Sequence, residues 1–197
     1  IWAVYSFSVA HGLPAPAFWE GLRFQGNRIA SGQPVYALGQ VWPNGVWFYY
    51  PLAFLLKTPL PMLLLLAAGV AVAIRRHAVR VASALVIPAL VFGAAAMTSA
   101  LQLGYRYLLP LLPFMHGLAG YAATAIHRPP QRRREMLRAA TMGVLVFWLA
   151  LDAAAIYPNH LSFFNALAGG AANADRYLVD SNLDWGQDLK RLSKWAE

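Results

Sequence analysis

Long stretches without a formal charge constrain this chain more than any other feature. Residues 58–74 read TPLPMLLLLAAGVAVAI, 17 residues with no charge, and residues 49–56 extend them with only Lys57 interposed. Residues 81–105 form a second uncharged run of 25, in which Pro88 predicts a kink. Residues 107–126 form a third of 20, with Pro110 and Pro113 near its start and His116 inside; residues 139–157 form a fourth, broken only by Asp152. At about 1.5 Å per residue, such a helix reaches about 30 Å and crosses the hydrocarbon core. The expected fold is therefore an all-α integral membrane bundle with four full transmembrane helices at 51–75, 81–98, 107–126 and 139–157. Pro59 and Pro61 are tolerated in a first turn, so the first helix proper is expected to begin near Thr58, with Lys57 snorkelling to the interface.

Composition agrees, since 59% of the residues are hydrophobic and 12% charged, against roughly 25% charged in soluble domains. The net charge is +8, and Arg75, Arg76 and Arg80 together with Arg128, Arg132, Arg133, Arg134 and Arg138, less Glu135, supply seven of those charges. Base packed between apolar runs argues against a nucleic-acid partner. The positive-inside rule makes 76–80 and 127–138 cytoplasmic loops. Residues 11–50, the turn 99–106 and residues 158–197 then fall on the outer face, and residues 1–10 read as the tail of a truncated transmembrane helix. Without cysteine there is no disulfide framework, thiolate metal site or cysteine nucleophile. No Gly-rich phosphate loop, H-E-x-x-H or G-x-S-x-G motif occurs.

The polar residues with chemical potential are few. Arg106 is the cation between the second and third spans, either a bidentate phosphate clamp or an interface anchor. Lys57 has the same two readings. Asp152 lies below the outer surface and should face the bundle, with Arg106 the nearest counter-charge by topology. His116 and His160 have no partner at a telling spacing. Asp184 and Gln187 resemble a capping box opening an amphipathic helix that carries Leu189, Leu192 and Trp195. Asp180, Asp184 and Asp188 would share a face only if all lay on one helix, so no metal site is expected.

Three segments carry a resemblance. GQPVYALGQVWPNGVWFYYPLAFLLKTPLP (residues 32–61), LGYRYLLPLLPF (103–114) and YPNHLSFFNALAGGAANADRYLVDSNLDWGQDLK (157–190) resemble the bacterial branch of the protein O-mannosyltransferases, glycosyltransferase family 39, also grouped with aminoarabinose transferases. Ala37 stands where that pattern usually has leucine, and Val46 and Phe48 where it has tryptophan and tyrosine. The resemblance implies a multi-pass GT-C membrane enzyme of the bacterial cytoplasmic membrane, a hexosyl or pentosyl transferase. It would move a sugar from a polyprenyl-phosphate donor to a protein, lipid or glycan acceptor on the outer face, among membrane lipids and without a cofactor. It also implies that the catalytic carboxylate lies upstream of residue 1, leaving no catalytic residue here. Lys57 and Arg106 become lipid-phosphate contacts, Tyr107 a shaper of the same pocket, and Asp180, Asn182, Asp184, Trp185, Gln187 and Asp188 acceptor-contacting or structural residues of an outer loop.

Two other classes fit the spans alone. A transporter or flippase-like subunit would line a path with intramembrane charges and broken helices, but Asp152 is the one charge well inside. A non-catalytic membrane scaffold requires nothing more than the helices.

Overall fold

The computed structural model describes residues 2–10, 13–126, 132–186 and 188–196. The chain is mostly helical. Two helices are long and apolar enough to cross a membrane, Val79–Met97 and Glu135–Ile156, with a third if Tyr49–Lys57 and Leu60–Arg75 count as one bent span.

That bend is the main correction to the sequence-based expectation. Residues 51–75 were expected as one span with its helix proper beginning near Thr58; α3 (Leu60–Arg75) does begin there, but the residues before it form a separate helix, α2 (Tyr49–Lys57), that meets it at 109°. The cause is local. Thr58 precedes Pro59, the proline ring disfavours the helical region for the residue before it, and Thr58 is extended (φ −89°, ψ 130°). Pro61 then sits harmlessly in the first turn of α3.

The second expected span forms as Val79–Met97. It comprises α4 (Val79–Val81), a π-helical turn (Ala82–Val86) and α5 (Ile87–Met97). Pro88 lies in the first turn of α5, so the backbone donor it lacks is absorbed by the π turn before it. The third expected span is not one α-helix. Only α6 (Leu112–Tyr121) is α-helical, between 3-10 segments Tyr105–Leu111 and Ala122–Ile126. Pro110 and Pro113 remove donors that an α-helix starting at 107 would need. The fourth is α7 (Arg132–Ile156), which starts earlier than expected. Arg132 to Arg138 therefore occupy its first turns and not a loop, while Arg128 lies outside the described residues. No residue of Glu135–Ile156 is buried. Val144, Val146, Phe147 and Leu151 are all more than half exposed, an apolar face that calls for cover by lipid or by another protein surface.

Residues 2–10 are not a helical span tail: a 3-10 turn (Trp2–Tyr5) leads into β1 (Val9–Ala10), paired with β2 (Leu13–Pro14). The expected outer loop 11–50 holds an amphipathic helix, α1 (Pro16–Ser31), and a hairpin of β3 (Val35–Ala37) and β4 (Gln40–Trp42). The hairpin turns on Leu38 (φ +53°) and Gly39 (φ +81°), the paired positive φ values of a tight two-residue turn.

Two buried clusters hold these pieces together. One joins β3 and α2 to Leu108 and to the later segment through Phe164, Ala168, Ala174 and Leu178. The other joins Met62 and Leu65 of α3, Ala119 of α6, and Met142, Leu145 and Leu149 of α7. Helices α3 and α6 approach so closely that a Cβ at Gly69 would fall on the Leu118 carbonyl oxygen. At the other end of α3, Arg76 donates to the Thr124 hydroxyl (2.7 Å) and carbonyl (2.8 Å).

Candidate functional site

The break between α2 and α3 places Lys57 at the end of α2, where the chain turns away from the helix axis. Its ammonium donates to the carbonyls of Leu161 (2.8 Å) and Asn182 (2.5 Å) and lies 4.6 Å from the Phe164 ring centre. Lys57 is only 9% exposed, and among the described residues no carboxylate pairs with it. A buried lysine satisfied by neutral carbonyls keeps its net charge available to an anion.

Asn182 is fully buried and organises this corner. Its side chain donates to the Tyr49 hydroxyl (2.8 Å) and the Val179 carbonyl (3.2 Å), and accepts from the Tyr105 amide (3.0 Å). Ser181 donates to the Leu103 carbonyl. Asn165 caps the end of α2, donating to the carbonyls of Leu55 (2.7 Å) and Thr58 (2.8 Å), while its amide donates to Leu56 (2.9 Å). These are carbonyls that a helix C-terminus otherwise leaves without donors.

Lys57, Arg106, Asp152, His160 and Trp185 line one cavity of about 390 Å³. Its walls are otherwise largely apolar, with Leu109, and with Leu149, Ala153 and Ile156 from α7, beside Tyr105 and Ser181. The Arg106 guanidinium lies 4.1 Å from the Trp185 ring centre. It makes no ion pair among the described residues, so its donors can meet a ligand. Burial pushes the Tyr105 phenol above its ordinary pKa, partly offset by the contact with the Thr58 hydroxyl (3.1 Å). Tyr105 therefore enters any neutral-pH chemistry as a hydroxyl. Two cations, one acid and an imidazole around an apolar cleft suit an anionic head attached to a hydrocarbon chain.

The structure divides the expected site residues. Lys57, Arg106 and Trp185 come together in the cavity, and Asn182 supports it from behind. Tyr107 does not line the cavity; it is 40% exposed, its ring centre 5.4 Å from the Arg106 guanidinium. Tyr105, two positions earlier, lines the cavity instead. Asp180 and Asp184 are exposed. The Asp184 carboxylate accepts from the Gly186 amide (2.8 Å), and α8 (Leu189–Ala196) begins four residues later than a capping box at Asp184 requires. Gly186, at φ +83°, interrupts the helix. Asp188 pairs with Arg191 (3.1 Å), and Gln187 lies outside the described residues. Among the described residues no three His, Asp or Glu side chains converge as a metal centre needs. Asp152 lines the cavity with Arg106, the counter-charge expected for it by topology, and His160 joins them although its spacing gave it no partner.

No family model, curated protein or solved structure matches the chain.

Proposed function

We propose that this chain is part of a four-span GT-C-type membrane glycosyltransferase of a bacterial cytoplasmic membrane, using a polyprenyl-phosphate-linked sugar on its outer face. One observation carries the reading: Lys57 and Arg106, 49 positions apart, line the same largely apolar cavity with neither in an ion pair among the described residues. The family resemblance of residues 32–61, 103–114 and 157–190 supplies the reaction class.

The acceptor hydroxyl attacks the anomeric carbon, the bond from that carbon to the phosphate oxygen breaks, and the lipid phosphate leaves with the bonding pair. Lys57 and Arg106 stabilise the charge that develops on the leaving phosphate, where preorganised donors act most strongly. Leu109, Leu149 and Ile156 receive the first units of the carrier chain. The acceptor proton passes to a carboxylate base, which the resemblance assigns to an outer loop upstream of these residues.

Transfer of sugar from a polyprenyl-phosphate donor, measured in membranes carrying the protein, tests this. Arg106→Ala is expected to abolish transfer with membrane abundance unchanged. Wild-type turnover in that variant would return Arg106 to an interface anchor and remove the proposal's support.

A further inference from the structure

A second cavity, sharing no residue with the first, opens at the arginine end of α3 and α7. It measures about 330 Å³. Leu65, Ala68 and Val72 of α3 form one wall, and Leu137, Met142 and Leu145 of α7 form the other. Arg75 and Arg138 stand at its mouth, both exposed. From Leu65 to Arg75 the trench runs about 15 Å along α3.

We propose that this trench binds one anionic diacyl phospholipid of the leaflet on the arginine side. A soluble anion has no use for the apolar walls, and a neutral lipid has none for two guanidiniums at one end. An anionic phospholipid uses both. One acyl chain lies between α3 and α7, and the phosphodiester meets Arg75 and Arg138. Basic pockets between membrane helices hold anionic headgroups by this combination. The surroundings add to the attraction, because Arg76, Arg80 and Arg132 to Arg134 lie close in sequence to the mouth and Glu135 is the sole nearby acid. The site is built on a helix with no buried residue over Glu135–Ile156, so lipid must already surround it.

The test is native mass spectrometry of the chain in a neutral detergent, titrated with phosphatidylglycerol or phosphatidylcholine. One phosphatidylglycerol is expected to survive activation that strips phosphatidylcholine. Arg75→Gln with Arg138→Gln should weaken its retention at least tenfold, whereas Arg80→Gln with Arg133→Gln, removing the same charge, should leave it. Ala68→Trp, which fills the trench and keeps both arginines, should also release it. Equal retention of the two lipids, or of phosphatidylglycerol by the Arg75/Arg138 variant, overturns the proposal. So does equal loss in the Arg80/Arg133 variant, which would reveal attraction by net charge alone. Competition by free glycerol phosphate with the lipid at equal concentration would overturn it as well, since the acyl chain would then contribute nothing. The arginine variants change exposed side chains, so thermal unfolding in the same detergent should match the parent chain.

Discussion

Arg106 and Asp152 line the same cavity, yet the guanidinium and carboxylate form no ion pair. A charge pair left open at a cavity wall keeps both groups available, and an entering anion meets Arg106 without first displacing a carboxylate. An acid with no ion pair among the described residues, set in a largely apolar wall, is also a cost to the fold.

Replacing Asp152 with leucine should therefore leave thermal stability in detergent unchanged or raise it, since no hydrogen bond or ion pair among the described residues is lost. A fall of several degrees in Tm would reveal a partner that holds Asp152 in place.

Lys57 behaves oppositely. Lys57→Met preserves the length of the side chain but leaves the Leu161 and Asn182 carbonyls without their donor, at about 1–3 kcal/mol each. The expected result is a lower Tm together with lost transfer. Retention of full stability would show that water replaces the ammonium without cost.

Gly69 permits the contact between α3 and α6. Gly69→Leu forces these helices apart, because its Cβ alone falls on the Leu118 carbonyl oxygen. Overpacking of this kind costs about 1–3 kcal/mol or more. Gly143 is a useful control, since a Cβ there meets nothing within 4 Å; Gly143→Ala should unfold at the same temperature as the parent or above it.

Orientation can be read by thiol labelling of intact cells, because the chain has no cysteine of its own. Ala172→Cys should react with an impermeant maleimide from outside and Arg80→Cys should not. Asn165, despite lying in the same outer segment, is unsuitable as a label site because it is only 3% exposed. Reaction at position 80 from outside would reverse the topology.

The long apolar helices were legible in sequence because hydrophobic length needs no tertiary information. Val79–Met97 and α7 follow directly from charge-free runs. What was not legible came from single peptide bonds and distant partners. Thr58–Pro59 looks like a helix start in composition and becomes a 109° corner in space. Pro110 and Pro113 turn an uncharged run into three helical pieces. At the site, Lys57 and Arg106 stood out as the cations at the outer ends of the spans, and Trp185 came with the family resemblance. The capping of α2 by Asn165 and the bracing of Tyr49 and Tyr105 by Asn182 were not legible, since their partners lie 77 to 133 positions away. Tyr105 was missed, because the resemblance pointed to Tyr107 two positions further on and no spacing singles out Tyr105.

The hydrogen bond from Lys57 to Asn182 joins positions 125 residues apart, with a consequence for how the molecule is made. During synthesis, α3, α5, α6 and α7 all emerge before the carbonyl that satisfies Lys57 exists. The cavity wall is consequently completed last, and a chain released before residue 182 lacks at least one of the two carbonyls that meet the Lys57 ammonium.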